Sequence, residues 1–104
     1  VLDHLNIPTP PTALACYNDE LAIRLMDLLK RNNYQIPNDI SVVGFDNYEI
    51  TKYLDPSLTT MNHAKEKMGA CAAEMITQMI LKKAKFETKI YEAEFISRAS
   101  TATK

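Results

Sequence analysis

Two short, almost wholly apolar runs, Thr12-Ala13-Leu14-Ala15-Cys16-Tyr17 and Ile40-Ser41-Val42-Val43-Gly44-Phe45, constrain the fold of this chain more than any other feature. Runs of that length bounded by polar turn residues suit strands covered on both faces. Between them Asn18 offers a helix N-cap, Asp19 and Glu20 place negative charge in the first turn, and Leu21, Leu25, Leu28 and Leu29 recur at helical spacing. The helix is expected to end near Lys30-Arg31, with Asn32 or Asn33 in the left-handed position that glycine more often fills. Pro37-Asn38-Asp39 then turns the chain into the second run. A strand, a helix and a second strand in that order imply parallel pairing through a right-handed crossover.

The flanking segments extend the pattern. Residues 1–5 read as the end of a helix, and the proline-rich 7–12 as a connector. Residues 48–54 suit a short helix stopped by Asp55-Pro56, and 58–61 a short β-prone piece. A long amphipathic helix is predicted over 64–83, with an apolar stripe of Met68, Ala72, Met75, Ile76, Met79 and Ile80 and Cys71 at its edge. Gly69 inside it costs roughly 1 kcal/mol relative to alanine unless a neighbour needs to come close. Residues 90–95 alternate as an edge strand does, and 98–104 read as a tail. The class is therefore α/β, a parallel sheet with helices on both faces.

With 104 residues there is room for one domain or one lobe and none for a separate nucleic-acid-reading module. Twelve basic and thirteen acidic residues leave a net charge of -1, so the electrostatic grip on a phosphate backbone is missing. The densest cationic run, Lys82, Lys83, Lys85 and Lys89, is interrupted by Glu87 and reads as the solvated end of a helix and its following turn, or as a contact for an anionic partner. Cys16 and Cys71 read as thiols rather than a disulfide framework. No apolar stretch approaches the length of a membrane span and no export signal is present, so the expectation is a soluble, cytoplasmic protein. The start at Val1, within what reads as a helix end, suggests a fragment. His4 and His63 share no ligand-like spacing with each other or with the cysteines. There is no glycine-rich phosphate loop and no nucleophile elbow, so no metal, cofactor or catalytic residue is assigned.

In an open parallel sheet, ligands bind beyond the carboxyl ends of the strands. That rule puts Tyr17 and Asn18 at the end of the first strand and Asp46 and Asn47 at the end of the second, with residues 60–63 as a third loop on the same rim. Asp46 can accept charge-assisted hydrogen bonds from two hydroxyls of one sugar, or it can cap the short helix that follows. The Asn18 amide can bond a hydroxyl, or act only as a cap. Tyr17 can lay its ring against a sugar face, or pack as the staple residue before the cap. His63 can donate to an effector hydroxyl, or serve as a structural hydrogen-bonder. Tyr48 and Glu49 are weaker candidates on the same rim.

The strings Pro11-Thr12-Ala13-Leu14-Ala15-Cys16-Tyr17-Asn18-Asp19-Glu20-Leu21-Ala22, Ile36-Pro37-Asn38-Asp39-Ile40-Ser41-Val42-Val43-Gly44-Phe45-Asp46-Asn47 and Leu54-Asp55-Pro56-Ser57-Leu58-Thr59-Thr60 resemble the C-terminal effector-binding region of the lactose/galactose repressor family. The resemblance continues through Met68-Gly69 to Glu94-Phe95-Ile96-Ser97-Arg98-Ala99-Ser100-Thr101. Ala99 stands where the family commonly has glutamate, Ala64 where proline often follows, and Asn32-Asn33 near a position usually glycine. The resemblance implies that residues 1–104 are part of a periplasmic-binding-protein-like sensor domain, mostly its C-terminal lobe, without the N-terminal lobe and the DNA-binding head. It implies that Asp46 and Asn18 hold sugar hydroxyls, that His63 lies at the pocket, and that 48–54 with helix residues after Asn18 form a homodimer surface. Cys16-Tyr17-Asn18-Asp19-Glu20 with Asn62-His63 is similar to arabinose-responsive members, whose heads are of the winged-helix gluconate-repressor type. DNA would be reached only through that head, and no membrane is implied. The alternatives are a sugar-binding protein of a transport system, which shares the architecture, and a small α/β enzyme using Asp46 and His63 for proton transfer.

Overall fold

In the computed structural model, which describes residues 1–81, 85 and 87–104, β1 (Ala13–Ala15) and β2 (Ser41–Val43) run parallel, with Leu14 opposite Val42. Backbone bonds extend the ladder over most of both apolar runs: Ser41 N donates to Thr12 O at 2.9 Å and Cys16 N to Val43 O at 2.8 Å. On the other side of β2, Gly44 N donates to Thr59 O at 2.9 Å and Asp46 N to Met61 O at 3.0 Å, which brings in β3 (Thr60–Asn62), itself paired with β4 (Glu94–Ile96). Among the described residues β1 has a strand neighbour on one edge alone. The chain forms two units, Val1–Asn62 with Phe95–Lys104, and His63–Glu94.

In the first unit, the core joins α1 (Leu2–Leu5) and α2 (Asp19–Arg31) to β2 and the segment before β3: Leu5, Ala22, Met26, Leu29, Ile40, Val42 and Leu58 are all buried. Asn18 caps α2 as its side chain allows, its Oδ1 accepting from Leu21 N at 2.9 Å. The helix stops at Arg31, and Asn33 takes the left-handed conformation (φ 64°). The buried stripe is rotated from the one expected. Ala22, Met26 and Leu29 face the core, while Leu21 and Leu28 are exposed, because Asp19 is drawn inward and fixes the phase of the helix.

Three other sequence expectations are corrected here. Ala13 and Ala15, read as covered on both faces, are exposed. The helix expected over 48–54 is a single 3-10 turn, Glu49–Lys52. Residues 98–104 are no tail, for Ser100 is fully buried. Its Oγ donates to Val42 O at 2.6 Å and accepts from Thr59 N at 2.8 Å, and its carbonyl accepts from Val42 N at 2.9 Å. A short polar run carries no periodic signal, yet it satisfies backbone groups of β2 that burial would otherwise leave unpaired.

Gly44, just after β2, lies against the first residue of α2. A Cβ there would lie 2.3 Å from Asp19 Oδ1 and 3.0 Å from Leu58 Cδ2. No side chain other than hydrogen fits without moving one of them.

In the second unit, α3 (Lys65–Ile80) carries the expected stripe, but none of its residues is buried. Met68, Ile76, Met79 and Ile80 are exposed, since amphipathic spacing records which face is apolar and not what covers it. The expected end at Lys83 and half of the lysine run, Lys82 and Lys83, lie outside the described residues. The strand expected over 90–95 occupies Glu94–Ile96 instead, with Ile90 exposed. Alternation by itself does not fix register; the partner strand does. Gly69 has nothing within 4 Å of the position of a Cβ, so no close approach accounts for it. Gly69→Ala is expected to stabilise α3 by about 1 kcal/mol, measurable as slower amide hydrogen exchange along the helix; unchanged or faster exchange counts against an open site.

Candidate functional site

Tyr17, Asn18, Phe45 and Asp46 line one cavity of about 370 Å³ just past the carboxyl ends of β1 and β2. The parallel register brings them together, because pairing Ala15 with Val43 puts the two strand exits side by side. The size lies within the ordinary range for small-molecule sites, about 300 to 1,000 Å³.

The turn that carries Asp46 has an unusual backbone. Asp46 (φ 116°) and Asn47 (φ 55°) are consecutive non-glycine residues with positive φ; such conformations cost on the order of 1 to 3 kcal/mol each and persist where surroundings over-determine them. Here each N–H has a partner from a different place: Asp46 N bonds Met61 O at 3.0 Å, Asn47 N bonds Thr60 Oγ1 at 3.3 Å and Tyr48 N bonds Asp19 Oδ2 at 2.8 Å. Asp19 is fully buried and also accepts from Thr60 Oγ1 at 2.6 Å. Arg98 adds a side-chain bond, Nη2 to Asn47 Oδ1 at 2.8 Å.

The capping reading of Asp46 does not hold, for the 3-10 turn begins after Tyr48 and has no side-chain cap. The Asp46 carboxylate instead faces the Tyr48 phenol. Its charge holds that phenol above the usual tyrosine range, with desolvation and a hydrogen bond between the two adding to the effect. Asn18 is a helix cap that also lines the cavity, so capping does not remove it from the rim. With Oδ1 engaged by the helix, its amide N–H groups are what it has to offer as donors, while Asp46 offers acceptors. A hydroxyl, which both donates and accepts, matches that pair.

Tyr17 is 85% exposed, so it does not pack as a staple and is available at the cavity rim. His63 is the first residue of the second unit, half-buried, with its carbonyl accepting from Lys65 N at 2.8 Å. Tyr48 is partly exposed and Glu49 bonds Lys52 at 2.9 Å, which lowers the Glu49 carboxyl. Reading the sequence missed Phe45, Asp19 and Arg98. Phe45 lies inside the apolar run and Asp19 looks like one more acid in a first helical turn; Arg98 stands in a string that resembles the repressor family, which gives no sign of its hydrogen-bond partners. Both cysteines are free thiols, and burial raises that of Cys16. Among the described residues no group of three or more His, Cys, Asp or Glu is placed to hold a metal, and no helix is long and apolar enough to cross a membrane.

Several known proteins to which the chain is similar are transcriptional repressors or regulators. The chain is 45% identical over 93 residues to the arabinose metabolism transcriptional repressor of Geobacillus stearothermophilus, covering 88% of this chain and 26% of that protein. It therefore spans about a quarter of the length of that curated relative. Among solved structures, a LacI family transcriptional regulator from Enterococcus faecium with bound ribose superposes with a TM-score of 0.82 at 32% identity, over 90% of this chain and 35% of that one. The lac repressor dimer bound to operator and an anti-inducer superposes with a TM-score of 0.83 at 26% identity, over 89% and 32%. The description "Periplasmic binding protein-like domain" matches residues 1–101, and with an α/β parallel sheet of the form found in LacI-type regulators, the chain belongs to that domain family.

Proposed function

We infer that this chain is the effector-binding part, mostly the C-terminal lobe, of a transcription repressor that senses a small sugar. The observation that carries the reading is that Asn18 and Asp46, a donor and an acceptor set, share one cavity with the exposed ring of Tyr17. Asp46 accepts from sugar hydroxyls, Asn18 donates to one, Tyr17 lies against the apolar face of the ring, and His63 adds a further polar contact. The names of the relatives support a repressor over a transport protein or an enzyme, and a pentose, arabinose first, as the effector. The working protein is a cytoplasmic homodimer that meets DNA through a separate head, and the sugar bridges two lobes whose closure shifts DNA affinity. A ligand shifts that equilibrium only by the difference in its affinity for the two arrangements, typically about 1 to 3 kcal/mol.

Calorimetry of the complete protein with L-arabinose and D-ribose tests this. Binding of at least one pentose is expected, and Asp46→Ala should weaken it roughly 10- to 100-fold, the scale of lost hydrogen bonds to a charged group. Unchanged affinity in Asp46→Ala removes Asp46 from the site, and failure of the intact protein to bind either sugar removes the pentose assignment.

A further inference from the structure

Arg98 does not line the cavity, yet its guanidinium ties together the segments that shape it. Nη1 donates to Thr51 Oγ1 at 2.7 Å and to Leu58 O at 2.9 Å, and Nη2 to Asn47 Oδ1 at 2.8 Å. Its own backbone is pinned as well, Arg98 N donating to Thr59 Oγ1 at 2.9 Å and Arg98 O accepting from the same hydroxyl at 3.2 Å. The head group is thus anchored on the 3-10 turn and on the entry to β3, and its remaining reach falls on the side chain of Asn47. That residue sits in the middle of the turn, left-handed itself and directly after left-handed Asp46. The planar fork of arginine serves several acceptors in fixed directions, which an ammonium on a flexible stem does not.

We propose that Arg98 is a positioning residue for the effector site: by holding Asn47 Oδ1 from an anchorage on Thr51 and Leu58, it locks the left-handed Asp46–Asn47 pair and thereby the direction of the Asp46 carboxylate. The inference rests on the reading of Asp46 as an effector contact. The backbone bonds of the turn set its path, and the Arg98 bond holds the side chain of the residue directly after Asp46.

The test uses the complete protein, with Asn47→Ala, Asn47→Asp, Arg98→Lys and Asp46→Ala compared by calorimetry against L-arabinose and D-ribose and by the titration of Tyr48 in protein carrying ¹³C-labelled tyrosine. Asn47→Ala keeps the Arg98 bonds to Thr51 and Leu58 and removes the one to the turn, at the added cost of alanine in a left-handed backbone, while Arg98→Lys weakens the same bond without touching the turn. Expected results are affinity weakened roughly tenfold in Asn47→Ala and Arg98→Lys, retention in Asn47→Asp, which keeps an acceptor for Arg98, and a Tyr48 phenol that falls toward its ordinary range in Asn47→Ala but stays raised in Asn47→Asp. The Tyr48 readout needs no ligand and follows the place of the Asp46 charge. Folded Asn47→Ala and Arg98→Lys proteins with unchanged affinity and an unmoved Tyr48 overturn the proposal. If Asp46→Ala abolishes binding while those two do not, positioning fails and the site reading stands; if Asp46→Ala also binds normally, the site reading fails.

Discussion

Gly44→Ala is expected to cost about 3 to 5 kcal/mol of stability, measured by denaturant unfolding of the complete protein, and to lower its soluble yield. The added methyl would sit 2.3 Å from Asp19 Oδ1 and 3.3 Å from Asp19 Cα. Overpacking alone costs about 1 to 3 kcal/mol. The carboxylate it displaces is fully buried and holds Thr60 Oγ1 and Tyr48 N, and each buried polar group left without its partner adds about 1 to 3 kcal/mol. Backbone strain plays no part, since Gly44 is not among the residues with positive φ. A substitution costing under about 1 kcal/mol would mean that α2 can slide away from the sheet.

Removing the carboxylate is expected to be nearly as damaging. Asp19→Ala strands the Thr60 hydroxyl and the Tyr48 N–H, for a loss of about 3 kcal/mol, and loosens the Asp46–Asn47 turn on one side. Because Gly44 and Asp19 oppose each other directly, the two changes are not independent. In the double variant the methyl added at position 44 no longer meets a carboxylate, so the combined loss should fall short of the sum by about 1 kcal/mol or more, as coupled neighbours do. Simple additivity in that cycle would show that the methyl is blocked by Leu58 and the helix backbone rather than by the carboxylate.

Local chemistry made much of this legible before any coordinates. Asn18 as cap, the helix through Arg31 and left-handed Asn33 follow from bonds between near neighbours in the sequence, and the strand exits at Asn18 and Asp46 from the strand-helix-strand order that implies parallel pairing. What escaped depends on partners far along the chain. Ser100 is polar and lies near the end of the chain, yet it is buried because Val42 and Thr59 present backbone groups to it. Arg98 meets its acceptors forty or more residues away. Asp19 carries two messages in one letter, a favourable charge at a helix start and a buried acceptor for another strand, and periodicity reads only the first. The stripe of α3 was recognised correctly as apolar, but spacing is silent about whether anything lies over it.

β1 has one further consequence. Among the described residues its outer edge pairs with no strand, and Ala13, Leu14 and Ala15 carry no charge there. The stretch is nonetheless hemmed in: Pro10 and Pro11 lack an N–H on one side, and α2 begins at Asp19 on the other. Regular pairing along this edge is therefore confined to a few rungs of ladder, which makes it a short edge strand of the kind that limits unwanted strand addition.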